Sequence, residues 1–486
     1  MLITGGEAPP GCGSGDGAPL AARMRRVCMA FVMAVALVLV FIETRGLTVL
    51  ATVALVVFLG LAWRQFRIGT WVPILLAVAV AALALGRGVP AEVFWRALDR
   101  MLFLSALIAM LGTLRSAAAI APEVRAAGLF VTNQPASRRY LALTFGGHLF
   151  GVLINFGGLA LLLDLTKRSM GSDAATQLPP DAREMRLRRM TLAVIRGFSL
   201  ISLWSPFGFA TNAILITLPG VTYTDFGPIG FVMSFVFVAI GWGFDRWEGR
   251  RFRRMNFTRP SPPPGSWRGA ALLVGHVLTL GASVFLTHAF TPLSFQQALI
   301  LAVPCYALAW SAWAGHRAMG GARVGVAEAA RATWGRLSDP GAEVGVFASA
   351  GFLPVVLLVL IPTEELRGAI SVLGLGPVML VLGLCLSTFG LALIGVNPII
   401  TASVFGAIAA QLSVPGLSTT AIALAITGGW TAVIGLSPFI TTLVIGSAII
   451  GRSSNVIGPL WNGPYCLSIL ALWLVGLAAG ILCGVI

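Results

Sequence analysis

The chain has 486 residues, of which 57% are hydrophobic and only 10% are charged, and its mean hydropathy is +0.91. A soluble protein carries about a quarter charged residues, so this composition excludes a soluble enzyme and a nucleic-acid-binding module. The formal charge of +15 is interpreted as basic loops on the cytoplasmic side of a membrane. The chain is therefore predicted to be an all-α polytopic membrane protein with no nucleic-acid partner.

The first segment, residues 1–24, is rich in Gly and Pro and is predicted to be a disordered cytoplasmic tail. The basic run Arg23–Arg26 stands directly before the first apolar stretch and places that end of the chain inside. The loops 164–189 and 246–268 are also strongly basic and are assigned to the cytoplasm. Together these loops predict a multi-pass protein of a bacterial inner membrane with a cytoplasmic N-terminus.

The apolar stretches can be counted as membrane crossings, since a helix needs about 20 apolar residues to span a bilayer. Eleven crossings are predicted, near residues 27–42, 47–63 and 70–86, within 101–130, and near 190–217, 228–244, 269–290, 293–314, 343–361, 417–450 and 466–486. Two further stretches, 140–164 and 369–411, do not fit a simple crossing. With the basic loops inside, each of these must enter and leave on one side, and each is predicted to be a re-entrant hairpin.

The sequence also contains a weak internal repeat. Ser205-Pro206-Phe207 recurs as Ser437-Pro438-Phe439, and by the crossing count the first hairpin opens to the cytoplasm and the second to the outside. Two inverted repeats are therefore predicted over residues 25–245 and 269–486, joined by the cytoplasmic linker 246–268.

The prolines of this repeat predict two broken helices, because proline removes a backbone donor and disturbs the preceding turn. Irregular backbone survives in a bilayer only beside a cavity or inside protein, so breaks that face hairpin tips indicate a polar site near mid-membrane. Freed carbonyls suit a cation, and half-helix N-termini suit an anion. The residues assigned to this substrate- and ion-binding site are Asn155, Gly157, Ser205, Pro206, Thr211, Asn212, Asn397, Pro398, Thr401, Ser437, Pro438, Thr441 and Thr442.

A structural role stays open for each of these residues. Asparagine serves turns and helix ends well, and proline kinks are common in membrane helices. Ser and Thr hydroxyls also hold membrane helices together. The sequence therefore leaves two interpretations of every position, as a ligand contact or as part of the packing.

The predicted plan of spans resembles the ion transporter superfamily, in which a hairpin precedes span five and another precedes span ten, with both of those spans broken. Its divalent anion/sodium symporters carry a Ser-Asn-Thr triplet at each hairpin tip, which binds sodium and substrate carboxylates. Here the tips read Ile154-Asn155-Phe156 and Val396-Asn397-Pro398, so only the asparagines match, with Thr401 nearby. The resemblance implies an elevator-type motion and a homodimer.

The predicted function is secondary active transport of a small organic anion, driven by Na⁺ or H⁺. The sequence contains no ATP-binding GxxxxGK[ST] loop, and no cofactor is expected apart from Na⁺ as a coupling ion. The expected partners are the lipid bilayer, the anion and a second copy of the chain. The membrane subunit of a tripartite periplasmic transporter would have the same architecture, and it would co-purify with a small membrane partner.

A membrane-embedded enzyme is the alternative from a different class. Such chemistry needs paired carboxylates, a metal set such as HExxH or a nucleophile elbow GxSxG, and the sequence has none of these motifs. A passive channel is a further alternative.

Overall fold

The computed structural model describes residues 20–42, 44–171, 176, 178–218, 220–252, 261–412 and 414–486. Across these ranges the chain is helical, and no strand is found in them. The helices in chain order are α1 (Leu20–Leu39), α2 (Arg45–Ala62), α3 (Ile68–Gly86), α4 (Ala91–Ile120), α5 (Pro122–Thr132), α6 (Ala136–Ile154), α7 (Phe156–Ser169), α8 (Pro180–Ser199), α9 (Ile201–Trp204), α10 (Phe209–Thr217), α11 (Tyr223–Glu248), α12 (Ser266–Phe290), α13 (Phe295–Ala318), α14 (Ala322–Arg336), α15 (Gly341–Leu360), α16 (Thr363–Val372), α17 (Pro377–Leu393), α18 (Pro398–Leu412), α19 (Thr419–Ile434), α20 (Thr441–Ile450) and α21 (Gly463–Leu482). Short 3₁₀ turns follow α2 and α11, and a π-helix, Val456–Asn462, leads into α21.

The first helix differs from its prediction. Helix α1 begins at Leu20, so the end of the segment predicted as a disordered tail is helical. The remainder of that prediction, residues 1–19, lies outside the described residues.

Within the described ranges, nine helical segments are long and apolar enough to cross a membrane, or ten if α16 and α17 form one span bent by 112°. This number falls short of the eleven predicted crossings for two reasons. Helix α1 carries three arginines in its first seven residues, and the predicted span 417–450 is divided into the shorter helices α19 and α20.

The apolar helices expose much of their hydrophobic surface. On α2, Leu50 and Val56 are 55% and 59% exposed, whereas Leu55 and Phe58 of the same helix are fully buried. A soluble helix shows the reverse, with polar residues on its outer face. Because several helices that are long enough to cross a bilayer expose apolar surface in this way, the chain is a multi-pass membrane protein.

Helix α15 packs against both α3 and α4, and these three helices form one layer of the molecule. Their backbones approach closely at glycine: a Cβ added to Gly351 of α15 would lie 2.6 Å from the carbonyl oxygen of Arg100 on α4. Gly345, also on α15, lies against Thr70 and Ile74 of α3. Small residues allow such close approach between membrane helices, and they fix the start of α15 beside the start of α3.

Two helical hairpins stand beside two broken helices. Helices α6 and α7 form the first hairpin, with its tip at Asn155, and α6 packs along α8. Helices α17 and α18 form the second hairpin, with its tip at 394–397, and α17 packs along α19. The two hairpins overlap the predicted stretches 140–164 and 369–411, but α6, α7 and α18 extend beyond these bounds, and α17 starts later than residue 369.

The two broken helices run in opposite directions. Glu184, in the first turns of α8, forms a bidentate ion pair with Arg452, which follows the end of α20, at distances of 3.0 and 2.7 Å. Further along, Ser199 at the end of α8 lies beside Gly435 at the end of α19. The start of one broken helix therefore meets the end of the other, as an antiparallel pair requires.

Candidate functional site

The two Ser-Pro-Phe sequences form breaks of the same local geometry. The backbone N–H of Phe207 points to the Ser205 hydroxyl at 3.3 Å, and the N–H of Phe439 points to the Ser437 hydroxyl at 3.4 Å. In both breaks the serine N–H still donates to the carbonyl four residues before it. The helix therefore ends at the serine, and proline, which has no N–H, prevents the next helical bond.

The tip of the first hairpin is a single residue. Asn155 has φ 53° and ψ −133°, and it is the one non-glycine residue with positive φ in the described part of the chain. This region of backbone space is populated almost only by glycine, and holding another residue there costs about 1–3 kcal/mol. Its carbonyl accepts from the N–H groups of Gly158 and Leu159, while its side chain forms no hydrogen bond within the described residues.

The tip of the second hairpin is built differently. The Asn397 side-chain oxygen accepts a 3.1 Å hydrogen bond from the N–H of Ile399, which is a local turn that starts helix α18. Gly395, with φ 100°, makes the preceding reversal of the chain. A Cβ built on Gly395 would lie 3.4 Å from the ring of Phe439. Asn397 thus has the structural role that the sequence left open.

A cavity of about 1030 Å³ lies where the hairpin tips, the second break and the α3–α15 layer meet. One wall consists of the loop and helix start 65–71 together with the start of α15. The opposite wall consists of both hairpin tips and the second break. The lining residues are Gln65, Phe66, Arg67, Ile68, Gly69, Thr70, Trp71, Asn155, Phe156, Phe198, Ile201, Ser202, Phe209, Ala342, Glu343, Val346, Phe347, Ile394, Gly395, Val396, Asn397, Pro398, Ile399, Trp430, Ile434, Pro438, Phe439, Ile440, Thr441, Thr442 and Val444.

The cavity brings together about half of the residues that the sequence assigned to the site. Those on its wall are Asn155, Asn397, Pro398, Pro438, Thr441 and Thr442. The others, which lie off the wall, are Gly157, Ser205, Pro206, Thr211, Asn212, Thr401 and Ser437. The second break therefore faces the cavity with its proline and threonines, whereas the first break contributes only neighbouring side chains such as Ser202 and Phe209.

Asn212 was predicted to line an opening, but its side chain instead closes the first break. Its amide nitrogen donates to the carbonyl of Pro206 at 3.1 Å and to the carbonyl of Gly208 at 2.9 Å. The residue is 1% exposed. Since a buried unpaired carbonyl is costly in an apolar surrounding, these two bonds stabilise the irregular backbone.

Two of the assigned threonines are buried beside this region without a partner. The hydroxyl oxygens of Thr211 on α10 and Thr401 on α18 make no hydrogen bond within the described residues. Helices α10 and α18 pack against each other. The Asn212 side-chain oxygen also lacks a partner within the described residues. A small ligand or ion in the protein interior could satisfy these three buried polar groups.

The sequence did not single out the two charged residues of the cavity wall. Glu343 is the only carboxylate, and Arg67 the only guanidinium, among the lining residues of the described chain. Both side chains are exposed to the cavity, and neither forms a hydrogen bond or an ion pair with another described residue. In the sequence, Glu343 stands at the edge of an apolar run and is the first residue of the predicted crossing 343–361.

Aromatic side chains make up much of the remaining wall. A chain of neighbouring rings crosses it: Phe156 lies 5.5 Å from Phe198 and 6.0 Å from Phe209, and Phe209 lies 4.9 Å from Phe347 of α15. Phe439, at the second break, is 65% exposed. The cavity therefore combines aromatic faces, two opposite charges and the amides of the hairpin tips.

A buried arginine stabilises the region behind the second break. Arg196 on α8 is 2% exposed, and its Nε donates to the Asn462 side-chain oxygen at 2.8 Å. The amide nitrogen of Asn462 donates in turn to the carbonyl of Gly435 at 3.0 Å, at the end of α19. The guanidinium also lies 4.5 Å from the centre of the Tyr465 ring. This network joins both broken helices and makes Arg196 a structural residue rather than a side chain that reaches to the membrane surface.

Comparisons with known proteins give similarity at the level of the fold. The sequence matches no protein-family profile and none of the curated proteins. The structure is similar to the YdaH transporter of Alcanivorax borkumensis, with a TM-score of 0.59 and 16% identity over 86% of this chain and 99% of that one. It is also similar to MtrF of Neisseria gonorrhoeae, described with a class of antimetabolite efflux pumps, with a TM-score of 0.51 and 14% identity over 87% of this chain and 97% of that one.

These two similarities define the class of fold. The chain has the fold of solved membrane transporters, and each similarity extends over nearly the whole length of the neighbour. The fold similarity does not by itself assign the chain to the ion transporter superfamily that the sequence resembles, which is a narrower group than solved membrane transporters.

Proposed function

We propose that the protein is an ion-coupled secondary active transporter of a small organic substrate with an anionic group, driven by Na⁺ or H⁺. The observation that carries the proposal is the convergence of both hairpin tips and the second break on one cavity. The helices α7, α18 and α20 begin at this cavity, and helix N-termini favour negative charge.

The arrangement of the walls also supports an elevator-type movement. The cavity lies between the α3–α15 layer and the hairpins with their broken helices. The hairpin helix α6 packs tightly on α8: a Cβ added to Gly147 would lie 2.6 Å from the carbonyl oxygen of Val194. Such close packing favours movement of the hairpin and broken helix as one body. We extend the proposal to a homodimer, in which the α3–α15 layer would be the stationary part.

The proposed orientation places the loop 65–71 and the start of α15 on the cytoplasmic side of an inner membrane. Both segments line the cavity, so the proposal describes a state that is open to the cytoplasm. In this state the hairpin tips would lie at the closed end of the cavity.

The test uses the purified full-length protein. Its thermal unfolding is measured against carboxylates and sulfonates, in NaCl and in choline chloride of equal ionic strength, because a ligand that binds the native form raises the unfolding temperature. The proposal expects a compound that raises it, and more so with Na⁺ or at acidic pH. In proteoliposomes, Asn155→Ala and Asn397→Ala are each expected to abolish uptake of that compound, with expression retained. Full uptake by both variants would remove the site assignment.

A further inference from the structure

We infer that the substrate is a zwitterion, whose cationic group binds at Glu343 and whose anionic group binds at the hairpin tips. This inference rests on the proposed function and narrows its substrate class. Its starting point is the charge of the cavity wall, which carries one carboxylate and one guanidinium, Glu343 and Arg67. Such a wall is neutral overall, and a neutral molecule with two opposite charges matches it better than a dicarboxylate does.

Glu343 has no structural partner that would explain its carboxylate. It is the third residue of α15, where a glutamate often folds back onto the backbone N–H of the residue that caps the helix. The capping residue here is Pro340, which has no N–H. The side chain forms no hydrogen bond or ion pair within the described residues, and it is exposed to the cavity. Its carboxylate is therefore available to a ligand.

No cation of the described residues forms an ion pair with the Glu343 carboxylate. Arg115 of α4 exerts an electrostatic attraction on Glu343, but the two side chains form no ion pair. The guanidinium of Arg115 lies against the first hairpin, since a Cβ built on Gly157 would be 2.8 Å from its Nε. The Glu343 carboxylate is therefore left without a direct cationic partner among the described residues, and the cationic group of a ligand can take that place.

The aromatic wall strengthens the argument for a cationic group. Phe347 lies one helical turn from Glu343 on α15, and Trp430 and Phe439 line the same cavity. Ammonium groups are attracted to aromatic faces, and carboxylates combined with aromatic rings are a common way to recognise them. A bare Na⁺ would instead need several oxygen ligands close around it, which a single exposed carboxylate in a cavity of about 1030 Å³ does not supply.

The anionic group fits the other end of the cavity. Helices α7 and α18 begin at the tips Asn155 and Asn397. Pro398 of α18 has no N–H, and the N–H of Ile399 already donates to Asn397, so the groups left for an anion are the N–H groups at the start of α7, on Phe156 and Gly157. Helix N-termini bind carboxylates through these N–H groups. The two ends of the substrate would then be held by different parts of the protein, with Glu343 on the α3–α15 layer and the tips on the hairpins.

The test compares compounds that share a skeleton and differ in charge. One set is trimethylammonioacetate, tert-butylacetate and tetramethylammonium; a second is phenylalanine, phenylpropionate and phenylethylamine. The unfolding temperature of the purified full-length protein is measured with each at neutral pH. We expect at least one zwitterion to raise it more than the corresponding acid and amine, and Glu343→Gln to weaken that zwitterion's apparent affinity by about tenfold or more.

The control is Glu328→Gln, which removes a carboxylate from the exposed ion pair with Arg331 on α14 and is expected to leave the preference unchanged. A wild-type protein that responds to acids as strongly as to zwitterions would overturn the inference and leave transport of an anion standing. A protein whose unfolding temperature rises with neither the acids nor the zwitterions would overturn both the inference and the proposed transport of an anion. A zwitterion preference that survives in Glu343→Gln would remove Glu343 from the site.

Discussion

The hydroxyl of Ser437 donates a 2.7 Å hydrogen bond to the carbonyl oxygen of Ala392. Ser437 belongs to the second break and Ala392 to the last turn of α17, so this bond joins the break to its hairpin. Both residues are fully buried. The same carbonyl also accepts a 3.2 Å hydrogen bond from the backbone N–H of Gly395, so the serine hydroxyl is its second donor.

Ser437→Ala is expected to destabilise the protein, because the Ala392 carbonyl would lose its hydroxyl donor in a buried surrounding. The carbonyl keeps its bond to the N–H of Gly395, so the expected cost is that of one hydrogen bond, about 1 kcal/mol, measured as a lower unfolding temperature of the purified protein. Ser205→Ala is the matched control, since the Ser205 hydroxyl has only the local contact with the N–H of Phe207. An equal loss in both variants would contradict a special role for the bond to the hairpin.

Two substitutions of Asn155 can separate the effect of backbone strain from the loss of ligand binding. Asn155→Gly should keep or raise the unfolding temperature, since glycine adopts φ 53° without strain. Asn155→Ala keeps a Cβ in the same region of backbone space, so its stability should stay near that of the wild type and below that of the glycine variant. Both variants lose the amide that faces the cavity, so both should lose the ligand-induced shift. A glycine variant that is as responsive as the wild type would show that the residue serves the turn alone.

The contact between α6 and α8 predicts a severe effect at Gly197. A Cβ at this position would overlap the carbonyl oxygen of Thr144, so Gly197→Ala must push the hairpin away from the broken helix. Overpacking of this kind costs about 1–3 kcal/mol or more, and we expect poor yield and early unfolding on heating. Gly243→Ala on α11, where a Cβ meets nothing within 4 Å, should be neutral or slightly stabilising.

A buried carboxylate far from the cavity provides another prediction. Glu123 on α5 is 4% exposed, accepts a 2.8 Å hydrogen bond from the Trp310 indole and lies 3.4 Å from His276. Glu123→Ala leaves the indole N–H unpaired and should cost about 1–3 kcal/mol. Glu123→Gln keeps an acceptor for Trp310 and should cost less. The measurement is thermal unfolding followed by tryptophan emission; equal effects of both variants would contradict the role of the indole bond.

The opposite directions of the two halves can be tested by labelling. Single cysteines replace Gly171, after the first hairpin, and Leu417, after the second, in a background without the native cysteines. The crossing count expects position 171 to be reactive from the cytoplasm and position 417 from outside. Reaction of both from one side with a membrane-impermeant reagent would contradict the inverted arrangement.

Local rules in the sequence predicted the two breaks well. Proline lacks an N–H wherever it stands, and a helix ends at Trp204, directly before the first Ser-Pro-Phe, and at Ile434, three residues before Ser437 of the second. The hairpin tips were found for a similar reason, since Asn155 and Asn397 tolerate turn geometry. These features depend on residues next to one another in the chain, which a sequence displays directly.

The cavity wall could not be predicted in the same way. Glu343 and Arg67 belong to the wall because the starts of α15 and α3 pack side by side, which depends on contacts such as Gly345 against Thr70. Asn212 was expected to line an opening, and only the three-dimensional path of the break shows that its amide meets two carbonyls. Tertiary packing decides whether a polar residue faces a cavity or stabilises backbone beside it.

The arginines of α1 have a consequence for how the chain enters the bilayer during synthesis. With three charges near its start, this helix inserts less readily by itself than α2, which carries a single arginine at its first residue. Met29 and Val32 of α1 are fully buried in the folded protein, and α1 packs along α2. The first two helices are therefore suited to joint insertion, in which the second helix supplies the driving force and the arginines of the first remain at the lipid headgroups.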